Sequence, residues 1–322
     1  MATTTSGAAN FNLDLNEIVE EAFERAGSEL RTGYDLRTAR RSMNLLFADW
    51  ANRGVNMWTF EQNTITLVTG QPTYALPDDT VDVLDHVIRT QANQTNNQAD
   101  LTITRISVST YATIPNKLIQ ARPIQVWIQR LTANDQPTTV TVTTPNPAVP
   151  LSAAATTIQV SSLAGLPTAG FIKIGSELIA YNETSNPQDG APFYLYNCCR
   201  GQDGTTAATH ANGSAITLSQ KQSITVWPTP DPGQTYQFVY WRMRRTQNIG
   251  NGANIADVPF RFLPCLVAGL SYYIALKIPE GIQRLDILKA QYDEAWQLAA
   301  GEDQEKAAVR FVPRQMFIGS GT

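Results

Sequence analysis

The sequence has few of the side chains that most often carry catalysis or bind metal ions. Its 322 residues include two histidines and three cysteines. Cys198 and Cys199 are adjacent, and adjacent cysteines can bond to each other only with strain, so no disulfide framework is expected. No Walker motif, nucleophile elbow or zinc-ligand spacing is present. We therefore predict no catalytic residue, no metal site and no cofactor, and we expect that the chain is not an enzyme.

The two histidines do not change this prediction. His86 stands in "DDTVDVLDHVIR", where a metal site could use Asp82, Asp85 and His86. Alternation along a strand would place Asp85 and His86 on opposite faces, so we favour a solvated strand and turn. His210 lies in a Gly- and Thr-rich loop, and clusters of Gly and Asp are typical of turns. We expect four side chains to hold that turn: Arg200, Asp203, Thr205 and His210.

An excess of positive charge is also missing. The chain has 24 basic and 28 acidic side chains, a net charge of −4, and only 16% charged residues. Proteins that grip nucleic acid non-specifically are usually basic, because phosphate neutralisation drives their affinity. The composition therefore disfavours a protein that clamps DNA. Hydrophobic residues make up 43%, which argues against general disorder and suggests one large or two modest domains.

Long uninterrupted apolar runs are absent. The most apolar stretch, "VPFRFLPCLVAGLSYYIALKI", contains Arg261, Lys277 and two prolines, and we interpret it as a buried helix. The first residues, "MATTTSGAANFN", lack the charged and apolar segments of a secretory signal. We expect the chain to be made and to fold in a reducing compartment.

Helical periodicity marks both ends of the chain. Apolar residues from Leu15 to Ala26 predict a first helix, with Asp14 as its N-cap and Gly27 as its stop. A second helix is predicted from a cap at Asp35 to Gly54. Two more are predicted near the other end, one after Pro264 and one over residues 285–299. Because strands fill the middle, we predict an α+β fold whose terminal helices pack together as a bundle.

The middle of the chain alternates as strands do. "NTITLVTGQPTYALP" predicts a hairpin, and "VDVLDHVIR", "ADLTITRISVSTYATI", "RPIQVWIQR" and "TYQFVYWRMRR" predict further strands of an antiparallel β domain. After Arg130 the composition becomes rich in Thr, Ala and Pro. We predict a helical bundle of residues 1–60 and 257–301, a β domain of 61–130 and 223–247, and an extended C-terminal arm of 302–322.

The stretch "TARRSMNLLFADWANRG" poses a choice between a DNA-recognition helix and a packing helix. It contains the basic residues Arg40, Arg41 and Arg53, and Arg37 directly precedes it. A recognition helix follows a short turn from its partner helix, whereas here the preceding loop is long. We favour salt bridges, within or between subunits, to the acidic face of the first helix. That face consists of Glu17, Glu20, Glu21 and Glu24.

The tail "VRFVPRQMFIGSGT" mixes apolar and basic residues without periodicity. It could be a frayed terminus, but such a segment can also order on binding, and we favour a docking arm. The residues expected to make contact are Arg310, Phe311, Val312, Pro313, Arg314, Met316 and Phe317.

Several blocks in order resemble a known family. These are "NEIVEEAFERAG", "TGYDLRTARRSMNLLFADWANRGVNMWT", "YALPDDTVDVLDHVIR", "TRISVSTYATIPNKLIQARPIQVWIQR", "ITVWPTPDPGQTYQFVYWRMRR", "DVPFRFLPCLVAGLSYYIALKIPE" and "LDILKAQYDEAWQLAAGEDQEKAAVRFVP". Together they resemble the head-to-tail adaptor of short-tailed bacteriophages, the tail tubular protein A or gatekeeper class. The blocks cover most of the chain outside one segment.

The resemblance implies a structural virion protein. Such adaptors form a dodecameric ring of identical subunits between the portal protein and the tail nozzle protein. The ring carries part of the DNA exit channel and helps to retain the packaged genome, so DNA would pass through it without specific binding. In relatives the C-terminal segment reaches toward the portal, which here corresponds to residues 302–322.

The sequence departs from the family pattern between Leu131 and Gln222, where we predict an inserted small β module. "GSELIAY" and "RGQDGTTAATHANG" in it resemble a small β repeat of other phage virion proteins. The module could bind a tail fibre, a neighbouring subunit or a host glycan. Tyr194 and Tyr196 are the contact candidates. The alternative function is therefore a host-glycan-binding tail protein that acts through this module.

Overall fold

The computed structural model describes residues 13–30, 33–54, 57–248, 250 and 254–303. Within these ranges the fold is mixed α+β, with five α-helices and four β-sheets that are antiparallel or mixed. The chain divides into two compact units. The helical unit contains residues 1–59 and 246–322, and the β unit contains Phe60–Arg245.

The helices of the helical unit are α1 (Leu15–Ala26), α2 (Gly33–Asn52), α4 (Leu263–Ala275) and α5 (Leu285–Glu302), and the β unit has one short helix, α3 (Val108–Ala112). The ends of α1 follow the sequence signals. The Asp14 carboxylate accepts from the Glu17 N–H at 2.9 Å, and the Glu17 carboxylate accepts from the Asp14 N–H at 3.0 Å. This reciprocal capping box satisfies two backbone donors, and Gly27 ends the helix at a φ of 88°. The predicted start of α2 at Asp35 is wrong, since the helix begins at Gly33 and Asp35 lies in its first turn.

One hydrophobic core joins the helices from both ends of the chain. The stripe of α2 predicted from the sequence is buried at Ala39, Met43, Leu46, Phe47 and Trp50. The helix α4 packs against α1, α2 and α5, while α1 and α2 meet only briefly. The Trp50 indole N–H donates to the Tyr292 hydroxyl at 3.0 Å, which satisfies a polar atom inside this core.

The strands of the β unit are β1 (Phe60–Thr66), β2 (Thr73–Ala75), β3 (Thr80–Thr90), β4 (Ala99–Thr102), β5 (Thr104–Ile106), β6 (Gln125–Gln129), β7 (Asp135–Thr141), β8 (Ile158–Val160), β9 (Gly170–Ile174), β10 (Glu177–Tyr181), β11 (Glu183–Thr184), β12 (Phe193–Tyr196), β13 (Ala215–Ser219), β14 (Ser223–Trp227) and β15 (Tyr236–Arg244). They form four sheets, in the orders β1-β15-β3-β4, β2-β14-β6-β5, β10-β9-β13-β7 and β11-β12-β8. Only the β5–β6 pair among these pairings is parallel.

Two separate cores lie inside the β unit. One is shared by the first two sheets and includes Val126, Ile224 and Phe238. The other is built only from residues between Val140 and Ile216 and lies among the last two sheets. A small cluster of Ala75, Phe171, Leu178 and Ala180 connects the two regions. The predicted division of this stretch into a β domain and an inserted module stays a prediction.

Two strand predictions are wrong in detail. The segment predicted as one hairpin forms β1 and β2, but β1 pairs with β15 and β2 pairs with β14, in two different sheets. The segment predicted as a strand through "SVSTYATI" forms α3 instead. Ser107 is the N-cap of this helix, and its hydroxyl accepts from the Thr110 N–H at 3.2 Å. Among the described residues, no helix combines the length and the apolar character needed to cross a membrane.

Candidate functional site

The outward face of α1 is acidic. Glu17, Glu20, Glu21 and Glu24 line a surface groove of about 670 Å³ together with apolar residues from the start of α4. Phe260 lines the same groove and its surface is 72% exposed, which is unusual for such a large apolar side chain. The groove thus combines a row of carboxylates with a projecting aromatic ring.

The outward face of α2 is basic. Arg37, Arg40 and Arg41 line a second groove, of about 530 Å³, with Tyr34 and Asn44. Their local contacts are weak, since Arg37 donates to the Gly33 carbonyl at 3.2 Å and Arg41 donates to the Thr38 hydroxyl at 3.3 Å. Three cations are therefore concentrated on one exposed face.

The two faces do not neutralise each other within one chain. In the described part of the chain, no ion pair joins the arginines of α2 to the carboxylates of α1. α1 and α2 each contact α4 more extensively than they contact each other. Glu17 belongs to the α1 capping box, and Glu21 pairs with Arg25 at 2.6 Å. The intersubunit form of the predicted pairing remains a prediction.

Arg53 behaves differently from the other arginines of this region. Its guanidinium pairs with Asp49, one helical turn earlier, at 2.8 Å. It also lies 4.8 Å from the centre of the Trp296 ring and 5.6 Å from that of Tyr292. Cation–π contacts of this kind hold the side chain against α5. Arg53 therefore has an intramolecular role that the sequence pattern did not suggest.

The predicted docking residues Arg310, Phe311, Val312, Pro313, Arg314, Met316 and Phe317 lie outside the described residues. The two predicted contact residues of residues 131–222 lie on β12. Tyr194 and Tyr196 share one face of that strand, with their ring centres 5.8 Å apart and nearly parallel. The neighbouring Leu195 points into the core, so the tyrosines stand on the outer face.

Two of the four predicted turn residues, Arg200 and His210, converge on a carboxylate that the sequence did not single out. Glu177 on β10 is only 1% exposed, and Arg200 forms two hydrogen bonds to it, each 2.7 Å long. The His210 Nε2 atom lies 2.7 Å from the same carboxylate. Backbone N–H groups of Gly201 and Ala208 donate to it as well, at 3.1 and 3.0 Å.

Burial by itself would raise the pKa of the Glu177 carboxyl. The hydrogen bonds from Arg200, Ala208 and His210 outweigh that effect and lower the pKa to about 2. Glu177 therefore fixes several loop segments to one strand, and no atom of the carboxylate is left free to react. The expected turn-holding role of Arg200 and His210 agrees with this arrangement. Asp203 instead pairs with Lys221 at 2.8 Å.

His86 is not the solvated residue that the sequence suggested. Its ring stacks on Phe238 with the ring centres 5.8 Å apart, and burial lowers its pKa. Among the described residues, no group of three or more His, Cys, Asp or Glu side chains is arranged to hold a metal ion. Neither protein-family models nor curated proteins give a match to this chain.

Proposed function

We propose that the chain is the subunit of a head-to-tail adaptor ring in a short-tailed bacteriophage, located in the virion between the portal and the tail nozzle. The order of sequence blocks that resemble this family supports the proposal. In this proposal, α1, α2, α4 and α5 form the helical bundle. Residues 131–222 form an inserted module, and residues 302–322 form the arm that reaches toward the portal.

The observation that carries the proposal is the pair of oppositely charged faces on the helical unit. Arg37, Arg40 and Arg41 face out on α2, while Glu20 and Glu24 face out on α1, and neither set is paired within the described chain. When the contacting patches on two copies are different, repeated association gives a closed ring or a filament. Complementary charge favours such head-to-tail contacts and fixes their orientation.

The charge of the chain suits a conduit through which DNA slides. A net charge of −4 disfavours the release of counterions from DNA that makes basic proteins bind it tightly. The arginines of α2 belong to subunit contacts in this proposal, so they do not hold the genome.

Charge reversal tests the interface directly. The Arg40→Glu/Arg41→Glu variant and the Glu20→Lys/Glu24→Lys variant are each expected to weaken association with the portal by at least about tenfold, because each brings like charges together. The variant with all four changes restores opposite charges and is expected to regain assembly. Sedimentation velocity and electron microscopy of the protein mixed with its portal measure these outcomes.

The matched control for the Arg40→Glu/Arg41→Glu variant is Arg122→Glu/Lys289→Glu. It changes the net charge by the same amount, at exposed cations outside both grooves. It is expected to assemble normally. Assembly that is indifferent to reversal of either face would contradict the interface. Failure of the unaltered protein to associate with the portal, or tight, steeply salt-dependent duplex DNA binding by a monomer or dimer, would contradict the adaptor function.

A further inference from the structure

A groove of about 820 Å³ lies inside the β unit, and none of its lining residues belongs to either charged face. Its floor is the outer face of the β2-β14-β6-β5 sheet. In the register of that sheet, Thr73, Thr225 and Trp127 stand side by side on neighbouring strands, and Gln129 follows Trp127 on the same face. The opposite face of the same strands points into a hydrophobic core, so this floor is a separate, polar and aromatic surface.

The walls come from two other parts of the β unit. On one side, residues 165–169 and Phe171 overhang the floor. On the other side, α3 contributes Tyr111, whose ring stacks on Trp127 with the ring centres 5.1 Å apart and an angle of 22° between the planes. The groove therefore has an aromatic corner and an apolar overhang, and its volume is in the range of small-ligand sites.

Two hydrogen-bonding groups in this corner have no protein partner in the described part of the chain. They are the Tyr111 hydroxyl and the Trp127 indole N–H, although both side chains are half-buried. The indole N–H groups of Trp58 and Trp227, in contrast, donate to carbonyls at 3.1 and 2.9 Å. Neither the Tyr111 hydroxyl nor the Trp127 N–H is a fully buried atom, so both are accessible to a polar ligand in the groove.

The charges around the groove do not favour an anionic ligand. Both lysines in its lining are already engaged. Lys221 pairs with Asp78 at 2.6 Å and with Asp203 at 2.8 Å. Lys117 donates to the Ile114 carbonyl at 2.9 Å and lies 5.5 Å from the centre of the Tyr111 ring. No Asp or Glu belongs to the lining, so the groove as a whole offers neutral side chains to its ligand.

The two central strands of the floor have no free edge for an added peptide strand. β14 is hydrogen-bonded to β2 on one side and to β6 on the other, and β6 is paired with β14 and β5. Peptides that extend a sheet need an unpaired strand edge. Recognition over β14 and β6 must therefore use side chains.

We propose that this groove binds a neutral oligosaccharide. A sugar ring presents C–H bonds on its faces, which stack on aromatic rings, and hydroxyl groups around its rim, which exchange hydrogen bonds with amides, hydroxyls and an indole N–H. The exposed part of the Trp127 ring stacks on the face of the sugar. The Tyr111 hydroxyl, the Gln129 amide and the Asn182 amide form hydrogen bonds with the hydroxyl groups at its rim. Tyr194 and Tyr196 take no part in this site, and ring assembly is not required for it.

The test uses the full-length protein and a panel of defined oligosaccharides. The neutral probes are maltohexaose, cellohexaose, chitohexaose and a mannohexaose, and the acidic probe is a hyaluronan hexasaccharide. Calorimetry and tryptophan fluorescence are expected to show binding of at least one neutral probe and no binding of the acidic one.

Three variants then locate the site. Trp127→Phe removes the indole N–H, and Tyr111→Ala removes the stacked ring and hydroxyl. Each is expected to weaken binding by about tenfold or more. Trp241→Phe, at an exposed tryptophan outside the groove, is expected to bind as the unaltered protein does. Unfolding midpoints within a few degrees of the unaltered protein establish that the variants are folded.

Binding to none of the neutral probes overturns the proposal. It is equally overturned if the hyaluronan probe binds best, or if Trp127→Phe and Tyr111→Ala leave the affinity unchanged while both variants remain folded. Since the oligosaccharide assay needs no portal, loss of portal association in the charge-reversal experiment leaves its result unaffected.

Discussion

At the scale of single residues, Glu177 is the side chain on which the most contacts converge. Its carboxylate is almost completely buried and accepts hydrogen bonds from Arg200, His210 and two backbone N–H groups. A buried ion pair of this kind is costly to break, because removal of one partner leaves the other charge uncompensated. The positive charge of Arg200 would then remain in a site that is closed to water.

We predict that Glu177→Gln destabilises the β unit by about 3–5 kcal/mol. Amide hydrogen exchange of β10 measures this loss locally, independently of the helical unit. Glu183→Gln is the matched control, since Glu183 is exposed on the adjacent strand β11 and its replacement is expected to change stability by less than about 0.5 kcal/mol. If the amides of β10 were equally protected from hydrogen exchange in both variants, the stabilising role of Glu177 would be refuted.

The low pKa of Glu177 also predicts that acid lowers the stability of the fold. Its pKa is about 2 in the folded chain against an ordinary value of 4.5, so the folded state binds the proton less readily than the unfolded state does. The resulting stability is present above pH 5 and is lost as the pH falls toward 2, in total about 3 kcal/mol. Urea titrations of the β unit at several pH values are expected to show this loss in the unaltered protein. Glu177→Gln should lack that component, and an identical pH dependence in both proteins would count against it.

The sequence indicated the structural role of Arg200 and His210, but it did not indicate that Glu177 lies at the centre of their contacts. Arg200 and His210 stand in a Gly-rich loop, and that context indicated a structural turn. Glu177 stands in a run that alternates like a half-exposed strand, yet every residue of β10 is buried. Burial of both faces depends on which loop folds over the strand, and periodicity along one strand carries no information about that.

At the scale of secondary structure elements, α4 approaches its neighbours closely at Gly269. A Cβ atom there would lie 2.9 Å from Leu46 of α2 and 2.9 Å from Tyr292 of α5, both of which are buried. The glycine thus allows three helices to share one contact point.

We predict that Gly269→Ala destabilises the helical unit by about 1–3 kcal/mol, although alanine is the better helix former, because overpacking outweighs helix propensity. Gly301→Ala in α5 is the control. Nothing lies within 4 Å of its added methyl group, so it is expected to stabilise the helix by up to about 1 kcal/mol. Urea unfolding followed by far-ultraviolet circular dichroism compares the two. A stabilising Gly269→Ala would show that the helices have room to separate.

Helix prediction succeeded where local chemistry was sufficient. Asp14, Glu17 and Gly27 specify the two ends of α1 through contacts within a few residues. The predicted hairpin failed because Gly70 and Pro72 reveal only that the chain turns. Which strand pairs with which depends on β14 and β15, more than 140 residues later in the sequence.

At the scale of the whole molecule, the proposed portal contact rests on the C-terminal arm. We predict that deletion of residues 309–322 abolishes association with the portal and leaves the fold intact, because the residues expected to dock lie in this segment. Cosedimentation with the portal and the thermal unfolding midpoint are the two measurements. Undiminished association of the truncated protein would assign portal binding to another surface.

The two candidate surfaces differ in how far the sequence could predict them. The charged faces were predictable, because Arg40 and Arg41 or Glu20 and Glu24 lie close together along single helices. The groove was not, since Tyr111, Trp127 and Phe171 lie on a helix and on strands of two different sheets, in separate parts of the sequence. No local pattern reports that kind of convergence.

The helical unit is made from two segments, Met1–Thr59 and Thr246–Thr322, which the β unit separates in the sequence, and this has a consequence for synthesis. α2 ends at Asn52, but α4, which covers its apolar stripe, begins only at Leu263. At about 5–20 residues per second, a ribosome needs roughly 10–40 s to make the intervening residues. During that interval the β unit can fold, whereas Met43, Leu46 and Trp50 lack their native partners. The packing of α2 against α4 is therefore completed only after α4 has been synthesised, later than the whole β unit.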